Sequence, residues 1–175
     1  MDDIALPLDI PANVTEKSSK VFASDGTTGI INILRQNNVT ANYHISCLST
    51  EYWYWNRNLT SQFTVLSTNT FHNITSVSMI EHRKYPLYAS VWHPEKNQFE
   101  WVVGRGVGHI SHDQEAIQVG QYFANFLVGE ARKNGQKFAN ATEEAETLMY
   151  NFNHLKVYEG KEPDAYFTEI YRFKQ

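Results

Sequence analysis

A single cysteine, Cys47, stands among 175 residues, so no disulfide can close within the chain and its stability has to come from packing. Positive charge is also scarce. Fifteen Lys and Arg against nineteen Asp and Glu leave a net charge of −4, without a basic cluster, so the electrostatic footprint of a nucleic-acid binder is missing. No apolar run approaches the roughly 20 residues that cross a bilayer, so no membrane span is expected. The acidic start, "MDDIALPLDIP", lacks the basic and apolar regions of a signal peptide. Internal repeats and low-complexity segments are absent as well. What is present is 42% hydrophobic residues with 14% aromatics, enough for one folded domain with a buried core.

Against the acidic start stand five Asn-X-Ser/Thr sequons, at Asn13, Asn38, Asn58, Asn73 and Asn140. Chance placement of the same residues would give roughly two. The excess points to the secretory or lysosomal route, with a leader outside this chain.

The first part is loop-rich, with Pro7, Pro11, "TEKSSK" and "SDGTTG". "TTGIINILRQNN" then predicts a short helix begun by Thr27 or Thr28, with Ile30, Ile31, Ile33 and Leu34 on one side, and the β-branched isoleucines leave a strand as the alternative. Runs at 63–68, 74–80, 86–92 and 166–173 read as strands, and the short gaps between the first three suggest antiparallel neighbours. The long helix lies in "SHDQEAIQVGQYFANFLVGEARKNG", with Ser111 and Gln114 as a capping box. Its apolar stripe is expected at Ile117, Tyr122, Phe123, Phe126, Leu127 and Ala131. A second short helix follows in "ATEEAETLMYNF". Strands plus a long helix define a mixed α/β layer structure.

The chemistry centres on "SVWHPEK", residues 90–96. In extended chain, His93 and Glu95 would project to one side, and a carboxylate beside an imidazole fixes its tautomer as in nucleophile–base–orienter triads. Cys47, in "HISCLS", has no flanking glycine and no strand-turn-helix signal, so it reads as a small buried thiol rather than a nucleophile. His109, His112 and Asp113 have ligand-type side chains but no partner set for a metal, and "GRGVG" at 104–108 reads as a turn. Trp53 and Trp55 in "EYWYWNRN" are expected to pack half-buried against a sheet, with stacking on a ligand ring as the rarer use. Arg57 and Lys96 are candidates for an acidic substrate's carboxylate.

"KYPLYASVWHPEK" resembles the histidine segment of class I glutamine amidotransferase-like folds. "LPLDI", "NNVTANYHISCLS", "FTVLSTNT", "GHISH" and "FLVGEARKN", in that order, narrow the resemblance to the γ-glutamyl hydrolase family. The resemblance implies a three-layer α/β fold and a thiol hydrolase that trims γ-linked glutamates from folyl- or antifolyl-poly-γ-glutamates, without a cofactor or metal. It implies His93 as the nucleophile's histidine, Glu95 as its supporting acid and His44 as a further active-site histidine contacting substrate or the oxyanion. It further implies a homodimer and a lysosomal, vacuolar or extracellular setting. The family's Gly-X-Cys-X-Gly elbow is not found in these residues. The expectation is therefore that residues 1–175 are the C-terminal part of a single hydrolase domain, inactive alone. A non-catalytic secreted binding relative and a glutamine amidotransferase domain are the alternatives.

Overall fold

The computed structural model describes residues 2–23, 27–101, 110–152, 154–156, 169–171 and 173. It divides into two compact units, Met1–Lys133 and Asn134–Gln175. The first unit runs β1 (Asp2–Leu6), α1 (Thr27–Gln36), β2 (Thr40–Tyr43), α2 (Thr50–Trp55), α3 (Arg57–Gln62), β3 (Phe63–Phe71), β4 (Ile74–His82), β5 (Tyr88–Ser90), α4 (Lys96–Phe99) and α5 (Gln114–Ala131). The second holds α6 (Ala141–Thr147), a 3₁₀ turn at Met149–Asn151, and the strands β6 (His154–Lys156) and β7 (Glu169–Tyr171). The architecture is mixed α/β with small antiparallel sheets ordered β1-β2, β3-β4-β5 and β6-β7.

The β3–β4 hairpin extends both sequence-predicted strands into the gap between them. Phe71 pairs with Ile74, leaving only His72 and Asn73 to turn the chain. Both have positive φ, 47° and 62°, the backbone that a two-residue primed turn demands and that His and Asn tolerate better than most residues.

The N-terminal stretch expected as loop contains β1, which pairs antiparallel with β2. Periodicity could not show this pair because β2, "TANY", is buried through Thr40, Ala41 and Asn42. Its polar side chains are satisfied by backbone: Thr40 Oγ1 donates to Leu6 O at 2.7 Å, and Asn42 Nδ2 to Thr40 O at 2.9 Å.

The long helix starts later than the capping box implied. Asp113, not Ser111, is its N-cap, accepting from Ala116 N at 2.7 Å, while Ser111 Oγ donates to Asp113 Oδ2 at 2.6 Å. A carboxylate cap also carries charge toward the positive end of the helix dipole, so it outcompetes a serine. The buried face of α5 is Ala116, Val119 and Gly120, flanked by the half-buried Tyr122, Phe123 and Phe126. Ile117 and Leu127, expected in the stripe, are exposed, as is Ala131. The stripe is rotated because small residues, Ala116 and Gly120, mark the closest approach to the rest of the unit.

The core joins Ile30, Ile31 and Leu34 of α1 to Leu8, Phe22, Leu66, Met79, Trp92 and Val119. Buried Glu81 ties the loop over β4, accepting from Ser19 Oγ, Lys20 N and Val21 N at 3.0, 2.9 and 3.2 Å. In the second unit, the helix expected across 141–152 splits into α6 and the 3₁₀ turn, with Asn140 capping α6 through Glu143 N at 2.9 Å.

Candidate active site

Leaving β5, the chain is fixed at three successive points. Val91 N donates to Ser78 O on β4 at 2.9 Å. Trp92 enters the core at 2% exposure, edge-on to Phe123 with ring centroids 5.1 Å apart. His93 N then donates to Ala41 O on β2, also at 2.9 Å. A buried tryptophan and two backbone bonds thus set the Cα of His93 before its side chain makes any contact.

The imidazole is oriented locally. His93 Nδ1 donates to Glu95 Oε1 at 2.7 Å, the short distance of a charge-assisted bond. Strand alternation, expected to align the two residues, is not the device. Pro94 and Glu95 form a turn, and Glu95 has helical backbone, φ −81° and ψ −21°, as the residue before α4. The turn folds the carboxylate back onto the ring. With Nδ1–H so engaged, the neutral ring presents Nε2 as its basic nitrogen, and His93 is 37% exposed, open to a partner.

β2 supplies the surroundings. Tyr43 meets the His93 ring edge-on at 6.2 Å, and Lys96 Nζ lies 5.2 Å from the Tyr43 ring centroid. Lys96 also pairs with Glu100 at 3.6 Å, so a cation is held against the tyrosine that the histidine meets. His44 follows β2 directly. Its Nδ1 donates to Ser46 O at 3.0 Å, and its Nε2 faces Asn42 Oδ1 at 3.4 Å. Asn42 Nδ2 is committed to Ile4 O, Thr40 O and Thr40 Oγ1, so its oxygen is the atom turned to the ring.

The other candidates separate from this cluster. Cys47, expected buried, is exposed on the loop between β2 and α2, because the chain there leaves the sheet before α2 begins. Trp53 is buried, but Trp55 is exposed and lies edge-on to Tyr52 beside Arg57, in a shallow surface cleft whose lining holds none of His44, His93 or Glu95. His112 donates Nδ1 to Asn97 O at 2.8 Å and stacks on Trp101 at 3.7 Å, so with the cap Asp113 it serves the junction of α4 and α5. His109 and the 104–108 turn lie outside the described residues. Among the described residues, no His, Cys, Asp and Glu group is arranged to hold a metal. Sequence reasoning missed Ala41 and Tyr43, although both sit in the "ANYHIS" stretch that pointed to His44.

A histidine anchored through its backbone, held at Nδ1 by a carboxylate and exposed at the ring, has the geometry that nucleophile–base–orienter sites require of their base. No protein-family model matches the chain. Individual relatives do. Gamma-glutamyl hydrolase of Mus musculus is 40% identical over 148 residues, covering 83% of this chain and 45% of the mouse protein. Gamma-glutamyl hydrolase of Rattus norvegicus is 38% identical over 166 residues, 94% of this chain and 50% of the rat protein. Gamma-glutamyl hydrolase B of Dictyostelium discoideum is 35% identical over 147 residues, 83% of this chain and 40% of that protein. The chain belongs to the gamma-glutamyl hydrolase family. It spans about half the length of the curated relatives it matches.

Proposed function

We propose that this chain supplies the histidine half of a thiol hydrolase that cleaves γ-glutamyl bonds, with folyl- or antifolyl-poly-γ-glutamates as substrates. The observation that carries the reading is the 2.7 Å bond from His93 Nδ1 to Glu95 Oε1 on a histidine whose backbone is fixed to β2. In the proposed reaction a thiolate, from a residue outside these 175, adds to the γ-carbonyl carbon. As the C–N bond breaks, His93 delivers a proton from Nε2 to the departing amine, leaving a glutamyl thioester. His93 then removes a proton from water, whose oxygen displaces the sulfur and releases the γ-carboxylate and the thiol. Glu95 holds the ring's tautomer through both steps. His44 contacts substrate or the oxyanion, and Lys96 offers positive charge to a glutamate carboxylate.

The antiparallel sheets and α5 are then one part of a larger class I glutamine amidotransferase-like fold, completed by a nucleophile-bearing segment, and two such assemblies form a dimer. All five sequon asparagines are exposed, which supports N-glycosylation and a lysosomal, vacuolar or extracellular setting.

The test is hydrolysis of a pteroyl-poly-γ-glutamate by the chain alone and by the chain co-expressed with the cysteine-bearing segment of a gamma-glutamyl hydrolase. The expected result is no turnover alone and turnover together, lost about 100-fold or more with His93→Ala. Turnover that survives His93→Ala would sink the reading. Tight substrate binding with no turnover in either preparation would favour the non-catalytic relative.

A further inference from the structure

The turn that carries the dyad rests on a helix with no side chain at the point of contact. A Cβ on Gly120, in the buried face of α5, would lie 2.9 Å from the carbonyl oxygen of Pro94, closer than such atoms normally come. Pro94 is the residue between His93 and Glu95. The obstacle is backbone rather than the tip of a flexible side chain, in a residue whose ring already fixes φ and so leaves the turn fewer ways to adjust. The same helix offers an internal comparison, because a Cβ on Gly129 would meet nothing within 4 Å.

We infer that Gly120 is a positioning residue for the His93–Glu95 dyad: by lacking a Cβ it lets α5 seat the Pro94 carbonyl, and so sets the turn that brings the carboxylate to Nδ1. The inference deepens the proposed role of His93 and rests on it. The dyad is clamped from two sides, by Ala41 O of β2 holding His93 N and by Gly120 of α5 beneath Pro94. Asn97 adds a lateral tie, donating to Ser111 O at 2.8 Å and so fixing α4, which begins immediately after Glu95, to the segment entering α5. A methyl group at 120 has to displace either the helix or the carbonyl. The core contact of Trp92 with Phe123, one turn further along α5, resists movement of the helix. The turn is the part that moves.

The experiment uses the intact chain and reads the tautomer of His93 by ¹⁵N NMR of its ring above the pH at which imidazoles lose their second proton. In the wild type, the proton is expected on Nδ1, where Glu95 accepts it. Gly120→Ala should return His93 to the ordinary imidazole preference for the proton on Nε2, with the ring signals of His112 unchanged. Gly129→Ala, which makes the same change of helix propensity, should keep the wild-type tautomer. A Gly120→Ala chain with the wild-type His93 tautomer overturns the inference. A wild type already protonated on Nε2 overturns the dyad itself, and the inference with it, so the two failures are told apart. If Gly120→Ala does not fold, the double variant Pro94→Gly/Gly120→Ala decides. Freeing the obstructing carbonyl should restore folding, and a double variant that stays unfolded overturns the inference.

Discussion

At the scale of single residues, the site is a set of side chains whose freedom has been removed unequally. His93 has a fixed backbone and a fixed tautomer but an open Nε2, the combination a proton carrier needs. Lys96 is different: its ammonium rests against Tyr43 and is shared with Glu100 at 3.6 Å, an ion pair that an incoming carboxylate can replace. In the completed hydrolase, Lys96→Ala should raise KM for polyglutamate substrates about tenfold and leave kcat nearly unchanged, because the contact is made equally before and during bond breaking. Steady-state kinetics checks this, and a fall in kcat at constant KM would remove Lys96 from substrate binding. The histidine and glutamate were legible in the sequence as His-Pro-Glu after a strand. The way they meet was not, because a proline followed by a helix start reverses the chain, and i, i+2 alternation holds only in extended backbone. Cys47 was misplaced as buried for a related reason: residue type gives the average burial of cysteines, and a loop between two elements overrides it.

At the scale of elements, β5 is the shortest strand of its sheet and needs a second attachment. Tyr88 Oη supplies one by donating to Glu130 Oε2 on α5 at 3.1 Å, beside the edge-on contact of Tyr88 with Phe126 at 4.9 Å. Burial first, then the bond to Glu130 and the charges of Glu130 and Glu81, push the Tyr88 hydroxyl up to about 12. Glu130 is held below the usual carboxylate range, chiefly by its hydrogen bond from Lys133 and further by that from Tyr88. A phenol that is harder to ionise in the folded chain adds stability that is complete below pH 10 and lost as pH climbs to about 12. The carboxylate works the other way, adding stability at neutral pH that is lost as acid protonates it below 4.5. Tyr88→Phe should therefore flatten the alkaline limb of a denaturant-midpoint profile between pH 10 and 12, and Glu130→Gln the acid limb. An unchanged slope in either variant would dissolve the tie. The β3–β4 hairpin and α1 were visible in the sequence because two strand-length apolar runs lie a hairpin-sized gap apart and Ile30, Ile31, Ile33 and Leu34 fall on one helical side. β1 and β2 were not, since a strand buried on both faces with Thr40 and Asn42 bonded to backbone carries no period to read.

At the scale of the molecule, two features bear on how the chain lives. No helix among the described residues is long and apolar enough to cross a membrane. The five sequon asparagines are all exposed, and they sit on different elements: Asn73 in the hairpin turn, Asn58 in α3, Asn140 at the cap of α6, Asn13 and Asn38 in loops. At Asn140 the capping atom is Oδ1, so a glycan on Nδ2 leaves the cap an acceptor. Protein made through the secretory route should lose mass on treatment with an endoglycosidase, in steps that vanish one by one with Asn→Gln at these positions. A single mass before and after treatment would count against that route. Fold class was legible at this scale as a mixture of strands and a long helix, whereas the expectation of a three-layer fold came from the resemblance alone and not from these elements. The clamp on His93 has a last consequence. Every described contact that orients the ring, from Ala41, Glu95 and Tyr43, belongs to the unit Met1–Lys133, so the orientation of His93 needs nothing from outside that unit. On the proposed reading, such a site would be silenced and revived by trading its sulfur alone, a division of labour on which a split reporter or an engineered switch could be founded.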